Sequence, residues 1–221
     1  MRAVVFDMDG LMFDSESIYT MVGTELMGRR GLEFTAELKD QMMGLPPEPT
    51  FKVMIAYHNL TEEWDELAAE SDKIFVSLLD EHLEEMPGLW ELLDSLEAAG
   101  IPKAIATSSN SRLTDEVLSR YNLQSRFEFI LTSKDITHGK PHPEVYLKAA
   151  EQFNLPPSEI LVLEDSRHGC TAAIAAGTFT VAVPGHHSRE QDFSDASLVI
   201  DGLGDPRLYE VLGIEGRGVG G

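Results

Sequence analysis

Short apolar runs rich in β-branched residues recur along the chain: AVVF (3–6), KAIAT (103–107), EFILT (128–132), ILVLE (160–164), FTVAV (179–183) and SLVI (197–200). Runs this short and this apolar predict strands buried on both faces of a sheet. Amphipathic stretches separate them. LWELLDSLEAAG (89–100) closes on Gly100 as a helix does, and EVYLKAAEQFN (144–154) and HGCTAAIAAG (168–177) follow the same period. Strand and helix in alternation predict an α/β protein built on a doubly wound parallel sheet.

Residues 15–85 break that alternation. They hold only helical patterns: IYTMVGTELMG, TAELKDQMM, TFKVMIAYHN and EEWDELAAESDKIFVSLLDEHL, with a turn expected at GLPPEP (44–49). Helix of this extent between a first and a second strand predicts an inserted helical domain, and MPGL (86–89) marks the return to the core. The expected division is a core of residues 1–14 and 86–212, a helical cap of residues 15–85, and a flexible glycine-rich tail of residues 213–221.

Composition narrows the functional classes. A formal net charge of −21 argues against a nucleic acid polymer or an anionic membrane as partner, since both require basic patches. An anionic small molecule would have to find its cations locally. The lone cysteine, Cys170, excludes an intrachain disulfide, fits a reducing compartment, and reads as a packed core thiol among small helix residues. MRAVVFDMDG carries acids where the apolar part of a signal peptide would lie, and no apolar run approaches the ~18–20 residues of a membrane span. The expectation is a cytoplasmic monomer.

Candidate chemistry gathers where strands end. In open α/β sheets ligands sit at the carboxyl ends of the strands. Asp7 closes the first strand, Asp9 follows two residues on, and Gly10 lets the chain turn away. Alone, D-x-D-G reads equally well as an Asp-rich turn. Thr107, Ser108, Ser109 and Asn110 follow the second strand, where hydroxyls and backbone N–H groups suit a phosphoryl group or simply cap a helix. Pro141 and Pro143 hold Lys140 in a rigid turn, and Glu164 and Asp165 end a buried strand, a costly place for two acids without a cation. Together, Asp7, the backbone carbonyl of Asp9 and Asp165 offer the hard oxygen ligands that suit Mg²⁺, with Thr107 and Lys140 on the far side of a bound phosphoryl group. His186 and His187, adjacent in a loop, read as exposed residues rather than metal ligands.

FDMDGLMFDSE, ATSS, GKPHPEVY and VLEDSRHGCTAAIAAG resemble, in order, the four motifs of the haloacid dehalogenase superfamily. The helical insert after the first motif resembles the cap of its β-phosphoglucomutase-like and sugar-phosphatase branch. The resemblance implies a Rossmann-like core and a role for each motif residue. Asp7 would be the nucleophile that forms an aspartyl-phosphate, and Asp9 the general acid and then the general base. Thr107, the Ser108 backbone and Lys140 would hold the phosphoryl group. Asp7, Asp9 through its carbonyl, and Asp165 would bind Mg²⁺, with Glu164 supporting that set from behind.

Asp9 favours C–O–P chemistry, because family dehalogenases and phosphonatases lack an acid there. β-Phosphoglucomutases keep both acids, but Tyr19 stands where their cap histidine is expected and Pro47 where their phosphate-clamping arginine is expected. The reading is therefore an Mg²⁺-dependent phosphatase of a small phosphorylated metabolite, a sugar phosphate or nucleoside monophosphate, with the mutase as the alternative and a non-enzymatic binding protein on the same scaffold after it. Glu16, Tyr19, Met42, Met43, Leu45 and Lys52 are cap residues that could face a substrate.

Overall fold

The computed structural model describes residues 1–42, 45 and 47–215. They form two compact units, one of Met1–Asp14 with the chain from Glu84 onward, the other of Ser15–Leu83.

The first unit is a parallel sheet of six strands: β1 (Ala3–Phe6), β2 (Lys103–Ala106), β3 (Ile130–Leu131), β4 (Ile160–Glu164), β5 (Phe179–Ala182) and β6 (Leu198–Val199). Their order is β3-β2-β1-β4-β5-β6, every neighbouring pair parallel. The central strands are apolar but for Lys103 at the start of β2, Thr180 in β5 and Glu164 at the end of β4 because both faces are covered, and every residue of β1 and β4 is buried. The edge strands β3 and β6 keep only two residues each, shorter than the apolar runs EFILT and SLVI suggest. A short edge limits the unpaired backbone it offers to another sheet.

Alternation along β1 sends Ala3 and Val5 to one face and Val4 and Phe6 to the other. On the first face they join Ile160 and Val162 of β4 against α7 (Glu144–Phe153) and α8 (Arg167–Ala176), through Val145, Tyr146, Ala149, Ala172, Ala173 and Ala176. The small residues of α8 allow close approach to the strands. Three further helices belong to this unit among the described residues: α5 (Leu89–Ala98), α6 (Ser111–Arg120) and α9 (Pro206–Leu212).

The second unit is all helix in its described residues: α1 (Ser15–Gly28), α2 (Ala36–Met42), α3 (Pro47–His58) and α4 (Trp64–His82), with α1 and α3 packed on α4 and α2 on α3. Tyr19 of α1 stacks on Phe75 of α4 at 4.7 Å between ring centroids. The turn expected over 44–49 already becomes helix at Pro47, since proline suits the first helical position, where no N–H is needed. Gly44 and Pro46, as well as Met43, lie outside the described residues, and so does the tail from Gly216 onward. Glu84 and Glu85, expected in the cap, belong to the first unit: the Asp14 N–H donates to the Glu84 carbonyl at 2.9 Å, and Phe13 and Glu85 form an antiparallel bridge.

Candidate active site

The sheet order reverses between β1 and β4, and a crevice opens at such a reversal beyond the carboxyl ends of the strands. Asp7 lies one residue past β1, held by its N–H on the Leu163 carbonyl (3.0 Å). Glu164 ends β4 and Asp165 follows it. Thr107 lies one residue past β2, its N–H on the Leu131 carbonyl at 3.0 Å. All four are buried.

Lys140 joins these strand ends. Its ammonium donates to Asp7 Oδ1 (2.5 Å), Glu164 Oε1 (2.6 Å) and the Ala106 carbonyl (3.0 Å), so its three N–H bonds are all used. Burial pushes the Asp7 carboxyl well above its ordinary value; Lys140 pulls it down, while Glu164 and Asp9 push it further up. Burial alone would lower Lys140, but Asp7 and Glu164 outweigh it and hold the ammonium well above its ordinary value. The neighbouring carboxylates push both groups up, in Asp7 on top of burial and in Lys140 against it.

Glu164 is saturated. Its Oε1 accepts from Lys140 and from the buried Tyr146 hydroxyl (2.6 Å), and its Oε2 from the Ser166 hydroxyl (3.1 Å) and N–H (3.4 Å). A carboxylate with four donors on two oxygens has little capacity left to ligate a metal. Burial, then the neighbouring Glu164, pushes the Tyr146 hydroxyl well up, so it stays a donor. Gly169, in the first turn of α8, leaves the space this carboxylate fills: a Cβ there would lie 1.8 Å from Glu164 Oε1. Gly10 does the same for Asp165, with a φ of +79° and only 2.3 Å between an added Cβ and Asp165 Oδ2.

Asp7, Glu164 and Asp165 bring ligand atoms within 4.8 Å of one another, the only such group among the described residues. Oxygen-only donors, buried and in excess over cations, fit a hard divalent ion. His186 and His187 pack edge-on against each other and belong to no such group. Cys170 is buried against Ala182 and Phe193, and burial, then Glu164 and Asp165, pushes its thiol up.

Asp9 is half-buried, and its Oδ2 accepts from the hydroxyls of Ser109 (2.7 Å) and Thr107 (3.1 Å). The side chain of Ser108 is exposed. Asn110, not Ser109, caps α6, its side chain accepting from the Leu113 N–H. Sequence reasoning missed Ser109 as a partner of Asp9 and Tyr146 as a partner of Glu164. The signal was present in ATSS and PEVY, but hydroxyls so placed read first as a cap and a core residue.

Residues 4–183 match the model of the haloacid dehalogenase-like hydrolase family. The chain is 35% identical over 207 residues to a probable pseudouridine-5′-phosphatase of Drosophila melanogaster, covering 91% of this chain and 89% of that one. It is 30% identical over 177 residues to a phosphorylated carbohydrates phosphatase of Thermotoga maritima, covering 80% and 82%. Among solved structures it resembles a putative β-phosphoglucomutase from Thermotoga maritima, with 27% identity, a TM-score of 0.78, and 96% and 99% of the two chains covered. The order of the sheet, the acids at its central strand ends and these likenesses agree: the chain belongs to the haloacid dehalogenase-like hydrolase family, in the branch of its sugar phosphatases and β-phosphoglucomutase-like proteins.

Proposed function

We propose that this chain hydrolyses a small phosphate monoester, of the sugar phosphate or nucleoside monophosphate class, through a phosphoryl group carried on Asp7. A phosphoric monoester hydrolase is the coarser statement, and the family with its phosphatase relatives supports it. The observation that carries the finer reading is the fixed Asp7–Lys140 pair. A nucleophilic carboxylate must be aimed and its attack on an anion must be screened, and a lysine with all three donors engaged does both.

Asp7 Oδ attacks phosphorus, and Lys140 offsets the charge that builds up between them. Thr107 and the Ser108 N–H hold phosphoryl oxygens. Asp9 protonates the leaving oxygen and later takes a proton from the attacking water. Asp7, Asp165 and the Asp9 carbonyl would hold Mg²⁺, which when bound supplies positive charge to the phosphoryl oxygens. Tyr146 and Ser166 hold Glu164, and Glu164 holds Lys140.

The mutase alternative requires a cation in the cap to clamp a second phosphate. The candidates are engaged within the cap: Arg29 with Glu25 and Glu70, Arg30 with Glu62 and Glu70, Lys52 with Glu48, and Lys39 with the Thr20 hydroxyl. Pro47, where an arginine was expected, opens α3. These engagements favour water as the phosphoryl acceptor. The test is phosphate release from p-nitrophenyl phosphate and from β-glucose 1-phosphate with a trace of glucose 1,6-bisphosphate, with and without Mg²⁺. Inorganic phosphate is the expected product. Stoichiometric glucose 6-phosphate without phosphate release would overturn the phosphatase reading in favour of the mutase.

A further inference from the structure

We propose that Ser109 is a positioning residue that holds the Asp9 carboxyl for protonation of the leaving group while Thr107 turns to the phosphoryl group. The inference rests on the proposed role of Asp9. The Ser109 hydroxyl lies 2.7 Å from Asp9 Oδ2, nearer than the 3.1 Å of Thr107. A hydroxyl donates only one proton. Once a phosphoryl oxygen claims the Thr107 O–H, that residue has none left for Asp9, and Ser109 remains.

The backbone prepares Ser109 for this. Its N–H donates to Thr107 Oγ (3.0 Å) and its carbonyl accepts from the Ser133 N–H (3.0 Å). The second of these bonds does not involve Thr107, so it survives rotation of the Thr107 O–H from Asp9 to the phosphoryl group. Ser109 therefore stays in place through the handover. Oδ2 is the oxygen the two hydroxyls hold, so Ser109 fixes the orientation of the Asp9 carboxyl.

In the first step the Asp7 oxygen bonds to phosphorus, the bond from phosphorus to the leaving oxygen breaks, and the Asp9 proton passes to that oxygen. In the second, a water oxygen bonds to phosphorus, the bond to Asp7 breaks, and a water proton returns to Asp9. Ser109 keeps its own proton in both.

The consequence is a dependence on the leaving group. Ser109→Ala should lower kcat/KM for phenyl phosphate, whose phenolate needs protonation, by about tenfold or more, and for p-nitrophenyl phosphate by less than about threefold. Inhibition by inorganic phosphate should be unchanged, and Ser109→Thr should regain most of the loss on phenyl phosphate. Equal losses on the two substrates, or phosphate inhibition weakened in step with the loss, would overturn the inference and make Ser109 a structural or phosphate-binding residue. A wild-type protein that releases phosphate from neither substrate would overturn the phosphatase reading itself, and this inference with it.

Discussion

Asp7 and Asp9 carry the same short acid, and substitution should separate the two roles proposed for them. Asp7→Asn is expected to lose at least ~10³-fold in kcat with its unfolding curve still cooperative, because removing the nucleophile removes the covalent route. Asp9→Asn should lose ~10²–10⁴-fold on alkyl phosphates yet much less on p-nitrophenyl phosphate. Steady-state rates on both substrates check the pair; near-wild-type rates for both variants would refute the roles. Gly169 poses a question of sign. Alanine in a helix gains about 1 kcal/mol over glycine, but here its Cβ would sit 1.8 Å from a Glu164 oxygen that four donors hold in place. Disturbing a buried, paired charge costs about 3–5 kcal/mol, so the clash wins and Gly169→Ala should lower the urea midpoint. The acids and Thr107 were legible because each lies at or just past a strand end that hydrophobic pattern locates, and Lys140, in the loop before α7, because Pro141 and Pro143 mark a rigid turn. Tyr146 and Ser109 were not, because what matters is a hydroxyl reaching a carboxylate 18 or 100 positions away, and local pattern contains no such pairing.

Among the elements, the long apolar runs were read to within a residue or two, while the edge strands shrank and α3 began early at Pro47. Edges shrink because a strand with one neighbour has pairing on one side only, which no one-dimensional pattern records. A polar cluster ties α5 to β2 at the end of the sheet away from Asp7. Glu97 of α5 accepts from Lys103 of β2 (2.7 Å) and from Arg126 (2.7 and 2.8 Å). Arg126, then Lys103, opposes the effect of burial and brings the Glu97 carboxyl from its ordinary 4.5 to about 2. A folded value below the unfolded one means stabilisation that is complete above pH 4.5 and lost as pH falls toward 2. Glu97 is 43% exposed, so solvent screening reduces the net effect to about 1 kcal/mol or less. Urea unfolding of wild type and Glu97→Gln should differ at pH 6, and the difference should shrink steadily from pH 4.5 as pH falls toward 2; a constant difference would refute the pairing as its source.

For the whole molecule, a net charge of −21 and a buried cluster of Asp7, Glu164 and Asp165 lead to the expectation that the proposed divalent cation also stabilises the fold. Ligand that binds only the folded state raises stability by RT ln(1 + [L]/Kd), about 2.7 kcal/mol at a hundredfold excess over Kd. Mg²⁺ should therefore raise the Tm of wild type and raise that of Asp165→Asn much less, read by thermal unfolding without any assay of turnover. EDTA should abolish phosphate release, and Ca²⁺, with looser and higher coordination, should inhibit it. Equal Mg²⁺ shifts in both proteins would place the ion elsewhere.

Strand β1 lies at the centre of its sheet, paired by Val4 with Lys103 on one side and by Ala3 with Ile160 on the other. Both partners come late in the chain. During synthesis at ~5–20 residues per second, AVVF and the FDMDG that follows it leave the ribosome well before their partners and stay unpaired until residues beyond 103 have emerged. The helical insert, whose contacts are local, has time to form in that interval. Asp7 thus follows a strand that is made before either of its partners and is locked in place only after them, so that a nascent chain stalled before β2 would expose an apolar strand to its neighbours and possess no assembled site at all.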